Sequence, residues 1–478
     1  MSNNKDMGRK GLNRRGFIKA AAAGIGVAAA GTAAPWIWTP RASWAAISEH
    51  HASAKHMLIL YADGGMRSPA IFNANLSLQW NPHVDGEGRP TQPGARGTEW
   101  DVGAVLDNAP IALPSWGQGE VLRPLPAVSD KVTVLGTVDH QPFEETSDAN
   151  HQTARQRMTT GRFDGRMGFL AQISKFHPMY EGQKRFEAFP PVVIGGGARL
   201  YGEATGQDGL FRALFFNGPQ DFQRRGIRSF QIPQADWSQQ LGQKLDQRFS
   251  QRLALDNAAR VSLYLDSKAN KGRFRDILGL PMLNLLEDGA VDRELGTNQM
   301  MREAFGAGPW GAQVALAVRM LQLGSPAVAV GVGGYDTHSN EMVDFPPLAQ
   351  DLGRQLAALI HVLPRLPHPE GGTFWDHTIV TVLSEFSRDN TERLTGYNSA
   401  QGSDHQGLNG SRHQAIPFLG GAIPGGKMFG RTDPTTMAAL NREEVFHSQG
   451  ILSTLADAVG VDPGRFFDEA PVTTMYKG

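Results

Sequence analysis

Apolar positions along this chain gather into short unbroken runs in some places and into spaced stripes in others. His56 to Ala62 (HMLILYA) is a run that stops at Asp63-Gly64-Gly65, and Lys131 to Val138 (KVTVLGTV) is another. Pro190 to Ile194 (PPVVI) runs into a glycine triplet. Runs of this length, rich in aliphatic and β-branched residues and bounded by turn residues, predict buried strands. About Asn81 to Glu120 is rich in Gly, Pro and Asp and lacks periodicity, which predicts a long surface excursion. Trp237 to Lys271 is polar with spaced Leu and Val, which predicts a long surface helix or a helical pair.

The C-terminal half has the clearest rhythm. Trp310 to Leu323 reads as a helix, closed by Gly324 with Pro326 beyond it. Ala327 to Val332 follows as a buried strand ending at Gly333-Gly334-Tyr335-Asp336-Thr337-His338. Leu348, Leu352, Leu356, Leu359 and Leu363 then step by four and three, one stripe of an amphipathic helix. Thr378 to Leu383 (TIVTVL) is a mostly β-branched run of the kind covered on both faces, and it ends at Ser384-Glu385-Phe386. Asn441, with Glu444 three residues on, predicts the cap of the last helix. Strand, helix, strand, helix implies crossover units, hence an α/β fold with a mainly parallel central sheet flanked by helices. In such sheets the working residues lie just beyond the carboxyl ends of strands.

The N-terminal segment departs from this pattern. Asn13-Arg14-Arg15-Gly16-Phe17-Ile18-Lys19 sets two arginines before an aromatic, an aliphatic and a lysine, and an alanine-rich run follows from Ala20 to Ala34. That run is shorter than the roughly 20 residues that cross a bilayer. Residues 1–45 are therefore expected to be a twin-arginine signal peptide, cleaved near Ala45 after Ser43-Trp44-Ala45, with an uncleaved anchor as the alternative. The expectation that follows is export through the twin-arginine translocase to the periplasm or beyond, with no permanent membrane span. That route carries folded cargo, which suits a protein that assembles around a cofactor. Residues 46–478 are expected to form a single domain in which 208–303 is a helical insertion or cap.

The 478 residues include no cysteine, which removes disulfides, thiolate zinc and iron–sulfur chemistry. Any metal must be held by His, Asp, Glu, Asn or hydroxyl groups. A net charge of -1 without a basic stripe in the mature region argues against nucleic acid as a partner. With 56 Gly and 29 Pro, the chain is expected to be loop-rich, with ordered connections between core elements.

Metal-type ligands follow strands or sit in glycine-bounded loops at Asp63, at Asp336 with His338, at Glu385, and at Asp404 with His405, to which His413 can be added. Oxygen and imidazole donors without sulfur suit Zn, Mn, Mg or Ca, according to number and geometry. Taken singly, each has an ordinary structural explanation. Asp63 before Gly-Gly could form a turn, Asp336 and His338 could cap their loop, and Glu385 could pair with Arg388.

Together, GGYDTH (Gly333 to His338), SEFSR (Ser384 to Arg388), GSDH (Gly402 to His405) and FLGGAIPGGKMFGRTD (Phe418 to Asp433) resemble the exported proteins grouped as domain of unknown function 1501. Those carry similar GGWDTH, SEFGR and GTDHG blocks, many of them behind twin-arginine leaders, and the resemblance covers most of the mature chain. That family is in turn distantly similar to the alkaline phosphatase and sulfatase superfamily. LILYADGG (Leu58 to Gly65) looks like the first strand whose terminal Asp binds metal, which implies that Asp63 is a ligand. WDHTIVTVLSEFS (Trp375 to Ser387) is similar to the sulfatase segment ending in Ser-Asp-His-Gly, and His413 to Phe418 to the late His before an apolar strand with proline. His151-Gln152-Thr153-Ala154-Arg155 through Met158-Thr159-Thr160-Gly161-Arg162 resembles the sulfatase signature, which runs from a nucleophilic Cys through Pro-Ser-Arg to Leu-Thr-Gly-Arg. Aligned on Thr-Gly-Arg, the nucleophile's position holds His151 and Arg155 falls on the signature arginine. Glu385-Phe386 replaces the usual Asp-His, so one imidazole ligand is lost and a longer carboxylate gained. No Cys or Ser occupies the nucleophile's place, although Thr153 lies two residues on.

In that superfamily metals activate a hydroxyl nucleophile while an arginine holds the oxygens of the transferring group. The resemblance leaves three roles open: His151 as metal ligand or general acid/base, Thr153 as nucleophile, or a site that has lost hydrolysis and kept binding. The leading expectation is an exported, divalent-metal-dependent hydrolase of a small-molecule or polymeric phosphate or sulfate ester, with an alkaline phosphatase-like or sulfatase-like fold. It requires Asp63, His151, Asp336, His338, Glu385, Asp404, His405 and His413 to converge at least in part. Separations above about 15 Å among Asp63, Asp336 and Glu385 would exclude a single centre. A non-catalytic exported binding protein using the same cleft is the alternative. A redox protein with an organic cofactor is a third reading, disfavoured because no glycine fingerprint opens a helix after the first strand.

Overall fold

The computed structural model describes residues 54–73, 100–105, 110–114, 131–140, 150–162, 165–180, 189–224, 281–285, 296–339, 341–389, 404–405, 413–433 and 435–476, with Lys244 and Gln247. They belong to the compact unit Ile47–Gly478, one of two into which the chain divides. The expected leader and nearly all of the 237–271 stretch lie outside the described residues.

The strands in chain order are β1 (His56–Ala62), β2 (Trp100–Val105), β3 (Pro110–Pro114), β4 (Val132–Asp139), β5 (Val192–Ile194), β6 (Leu214–Phe216) and β7 (Ala327–Val332). They continue with β8 (Thr378–Leu383), β9 (Arg388–Asp389), β10 (Asp404–His405), β11 (His413–Leu419), β12 (Lys427–Phe429) and β13 (Phe446–His447). β1 lies between β7 and β8 and is parallel to both, with Met57 opposite Ala327 and His56 opposite Thr378. β5 continues the sheet beyond β7, and β6 beyond β5, again parallel. On the other side β11 runs antiparallel between β8 and β4, while β12 and β13 run parallel to β4. The order of the sheet is β12-β4-β11-β8-β1-β7-β5-β6, with β13 also on β4. Every strand of it except β11 points the same way, so the α/β expectation stands with one reversed strand.

The uniform apolarity of β1 follows from its position, because helices cover both faces. Side chains alternate across the sheet. Leu58, Leu60 and Ala62 enter one core with Val314 and Leu316 of the Gly311–Gln322 helix and Leu352, Leu356 and Leu359 of the Glu341–Val362 helix. Met57, Ile59 and Tyr61 enter the other with Leu170 and Ile173 of the Phe169–Phe176 helix and Ile451 and Leu455 of the Ser448–Ala458 helix. Each fully buried aliphatic side chain of this kind contributes about 1.5–3 kcal/mol.

Gly324, with φ +88°, ends the Gly311–Gln322 helix as its sequence predicts, its amide bonding Leu321 O. Elsewhere the structure corrects the pattern. The excursion expected over 81–120 contains the antiparallel β2–β3 ribbon, whose register shifts between Val102 and Val105. The leucine-striped helix begins at Glu341, well before the stripe, and runs through Pro346 and Pro347. Asn441 caps the 3-10 turn Arg442–Glu444, accepting from Glu443 N, and the last helix starts only at Ser448, because β13 intervenes to pair with β4. Most of the insertion expected at 208–303 lies outside the described residues. β6 is an edge strand of the central sheet, and the Asn298–Phe305 helix buries Met301, Ala304 and Phe305 in the main core. No helix among the described residues is long and apolar enough to cross a membrane.

Candidate functional site

Three neighbouring strands, β8, β1 and β7, deliver polar loops to one edge of the sheet. Asp63 directly follows β1, and its amide donates to Val332 O at the end of β7 (2.9 Å). Gly64 comes next with φ +121°. A Cβ there would stand 2.4 Å from Asp336 N, so only glycine lets the two loops approach this closely. Glu385 lies just past β8. The fourth contributor is the His151–Thr160 helix, whose N-cap Asn150 accepts from Thr153 N (2.9 Å). Its first turn presents His151, and Arg155 lies one turn on along the same face.

Glu385 is the hub, with no solvent exposure. Its Oε1 accepts from Gly64 N (2.9 Å) and His151 Nδ1 (3.0 Å), with Arg155 Nη2 at 3.5 Å, and its Oε2 accepts from Tyr61 OH (2.8 Å). Burial alone would push this carboxyl up. The His151 hydrogen bond, the Arg155 charge and the Tyr61 hydroxyl overcome it and hold Glu385 below the usual carboxylate range. An ionised carboxylate only accepts, so His151 Nδ1 carries a proton.

The other ring nitrogen of His151, Nε2, faces Asp336. His151 Nε2 and His338 Nε2 lie 3.4 Å and 3.3 Å from Asp336 Oδ1, and the three donor atoms all fall within 4.8 Å of one another. These spacings exceed the ~2.7–2.9 Å of charge-assisted hydrogen bonds. They match instead the ~3.3–3.4 Å edge of a tetrahedron of ligands with bonds of about 2.0–2.1 Å. Arg388 Nη2 also donates to Asp336 Oδ1 (2.5 Å) and to Gly64 O, and Nε donates to Gly65 O (2.8 Å) and Tyr335 O (3.0 Å). This buried guanidinium stitches the β1 and β7 loops together. Burial raises the Asp336 carboxyl, but Arg388, His151 and His338 outweigh it and leave the group below its ordinary value.

Asp63 behaves oppositely. Its Oδ1 accepts from Arg155 Nη2 (2.7 Å), yet burial and the nearby Glu385 charge push its carboxyl up to about 6. A second ion pair lies behind the loops, where Arg67 grips Glu341 through two bonds of 2.7 and 2.6 Å. Both side chains are wholly buried.

The structure thus brings Asp63, His151, Arg155, Asp336, His338 and Glu385 into one connected group. Within it, only His151, Asp336 and His338 are spaced as ligands. Thr153 is not drawn in, because its hydroxyl donates to Asn150 Oδ1 (2.8 Å). His413, at the start of β11, bonds Met437 O (2.9 Å) through Nδ1 and is not among the grouped donors. Asp404 and His405 form β10, in which His405 pairs with Arg388 of β9, so their backbone runs beside the site; their side chains lie outside the described residues. Arg388, the alternative ordinary partner for Glu385, instead pairs with Asp336, because it reaches back across the loops. Sequence reasoning missed Tyr61, which an apolar strand disguises, and the Arg67–Glu341 pair, whose partners are 274 positions apart.

The family model described as Protein of unknown function (DUF1501) matches residues 54–471. No curated protein matches the chain.

Proposed function

The chain belongs to the DUF1501 family, and we propose that this member is a metal-dependent hydrolase of a phosphate or sulfate ester, exported by its Arg14-Arg15 leader. The observation that carries the reading is that His151 Nε2 and His338 Nε2 lie 3.4 and 3.3 Å from Asp336 Oδ1, with all three donor atoms within 4.8 Å of one another. Two imidazoles and one carboxylate suit zinc or a similar transition ion better than Mg or Ca, which prefer all-oxygen surroundings. Three protein ligands with a fourth position left open is the arrangement of catalytic rather than structural zinc. The resemblance of the strand-end blocks to the alkaline phosphatase and sulfatase superfamily supports the same class of chemistry.

An ion held there would supply Lewis-acid charge for an ester oxygen and activation of water. The chain's own groups do the rest. Glu385 fixes the tautomer and orientation of His151, the carboxylate–histidine support that metal-binding histidines commonly have. Arg388 holds Asp336 in place with one lone pair of Oδ1 and leaves the other for the ion. Arg155, about a third exposed and paired with Asp63, would meet the oxygens of an ester anion. The hydroxyls of Thr153, Tyr61 and Ser384 are committed elsewhere, to Asn150, Glu385 and Ala62 O. This favours water over these three as the attacking group.

Elemental analysis of the purified protein, with a screen of generic phosphate and sulfate esters, tests the reading. One equivalent of zinc-class metal is expected, lost in Asp336→Ala and His151→Ala together with ester turnover. A protein that takes up no divalent ion and hydrolyses neither ester class refutes it and favours the binding-protein alternative.

A further inference from the structure

The amino ends of the same three strands carry a second cluster that the proposed chemistry does not use. His56, the first residue of β1, is 5% exposed, and His368 is 8% exposed in the turn that precedes β8. His56 Nδ1 meets Ser325 O, just before β7, at 2.8 Å, and its Nε2 lies 3.1 Å from His368 Nε2. On the far side of His368, Glu370 N–H donates to Nδ1 (3.2 Å).

These contacts leave one assignment of protons. A carbonyl only accepts, so His56 carries its hydrogen on Nδ1. A backbone amide only donates, so His368 Nδ1 is bare and its hydrogen sits on Nε2. His368 Nε2–H therefore donates to His56 Nε2, and the relay runs from Glu370 N–H to Ser325 O with each ring neutral. A further proton has no place to go. On His56 Nε2 it would face the His368 N–H, and on His368 Nδ1 it would face the Glu370 N–H. Protonation of either ring breaks a bond of the relay.

The surroundings keep the rings neutral. Phe374 stacks on His56 (5.5 Å between centroids) and meets His368 edge-on (4.9 Å). His377, directly before β8, stacks on His368 at 4.0 Å and bonds Gly371 O through Nε2 (2.7 Å). The charged groups facing the cluster are Lys55 and Glu370, paired with each other at 3.3 Å, while His177 faces Lys55 from the end of the Phe169–Phe176 helix. Burial is the largest influence on His56 and pulls its ring down to about 4; burial and His377 also lower His368.

We propose that His56 and His368 form a proton-operated latch, which when neutral ties the turn of residues 367–373 to the amino ends of β1 and β7 and when protonated releases it. This turn closes on itself through the Pro367–Thr373 bridge and the His368 N to Gly372 O bond (3.0 Å), while the residues after it stay anchored, His377 O accepting from Lys55 N (2.7 Å) and His56 N (3.0 Å). Residue 368 is the natural point of release. His56 is fixed in the sheet by its register with Thr378, whereas His368 belongs to the turn. The device needs no metal at the opposite edge, so it stands whether or not the hydrolase reading does.

Amide hydrogen exchange of the full chain, followed by mass spectrometry and corrected for intrinsic rates, tests the latch. A ring that titrates at about 4 when latched and 6.5 when free shifts the opening equilibrium about 30-fold between pH 7.5 and pH 5. Peptides covering 367–373 should lose protection by about that factor, while those covering β1 keep theirs. His56→Gln with His368→Gln, neutral at every pH, should abolish the dependence. The latch is overturned by unchanged protection of 367–373 at pH 5, by loss of protection together with β1, or by the same pH dependence in the Gln variant. Should that variant not fold, imidazole NMR titration of the native protein decides. Both rings titrating near 6.5 would overturn the proposal, and depressed values with hydrogens on His56 Nδ1 and His368 Nε2 would support it.

Discussion

Glu341→Gln removes one charge from an ion pair that has no access to water. Arg67 and Glu341 have side-chain exposures of 0%, and they meet through Nε–Oε1 (2.7 Å) and Nη2–Oε2 (2.6 Å). The amide keeps the shape of the carboxylate but turns one acceptor into an N–H donor that faces the guanidinium. The buried guanidinium then loses its carboxylate partner, and losing one partner of such a pair costs about 3–5 kcal/mol. Replacing both partners with apolar residues of similar bulk, Arg67→Met with Glu341→Leu, removes the buried charges as well as their attraction. That double variant is expected to recover most of the loss, because buried pairs are often close to neutral against a well-packed apolar replacement.

Urea denaturation at neutral pH measures the difference, provided each variant unfolds in a single transition. The pair also joins the β1 loop, which carries Asp63, to the first turn of the helix that follows the Asp336–His338 loop. Zinc affinity should therefore fall in Glu341→Gln under conditions where the protein remains folded. A cost below about 1 kcal/mol, or a double variant worse than the single one, would refute the reasoning.

Glu385→Gln should weaken zinc binding by about 10- to 100-fold, the usual effect of removing a carboxylate behind a ligating histidine, as read by competition with a chelator; unchanged affinity would contradict the assigned role. In Asp63→Asn, which removes the one carboxyl placed at about 6, acid should destabilise the protein through its buried histidines. His56 and His177 are each held down at about 4, burial being the first cause in both, against 6.5 when unfolded. Depressed groups contribute stability that is complete above pH 6.5 and disappears as the pH falls toward 4, because the unfolded chain takes up the proton first. The contribution of His56 is ~3 kcal/mol and that of the partly exposed His177 smaller, so denaturation midpoints of that variant should fall between pH 7 and pH 4.5, and those of the native protein by less, because the raised Asp63 carboxyl acts in the opposite direction. Midpoints of the variant that stay flat across that range would show that these rings titrate normally in the folded protein.

Much of the frame was legible in the sequence because burial on both faces leaves a simple trace. β1, β7 and β8 were delimited by their apolar runs alone, and the polar residues after them mark the edge where the site lies. What escaped was set by pairing rather than by local composition. β2 and β3 lie in a stretch without alternation, and β6 is a three-residue edge strand inside what reads as an insertion. The helix carrying His151 and Arg155 has little amphipathic pattern and was located only through its resemblance to a signature. Which carboxylate would be a ligand and which a support was also hidden, since that depends on atoms brought together by β1 lying between β7 and β8.

The Glu385-Phe386 pair shows what that distinction means physically. In the sequence it reads as a loss, with one imidazole ligand exchanged for a longer acid. In the structure the extra methylene carries the carboxylate to both Gly64 N and His151 Nδ1, so that it orients the His151 ring. The phenyl ring that follows lies 4.9 Å from the His151 ring and takes the space a Cβ on Gly65 would need, 2.1 Å away. A shorter acid at 385 would reach one of those partners at the expense of the other, and a polar residue at 386 would bring an unsatisfied group into a fully buried position. The two residues act as a matched pair, one setting the tautomer of His151 and the other holding its ring. Under the proposed reading, the missing imidazole of this segment is supplied by His151 itself, from a helix more than 200 positions away in the chain.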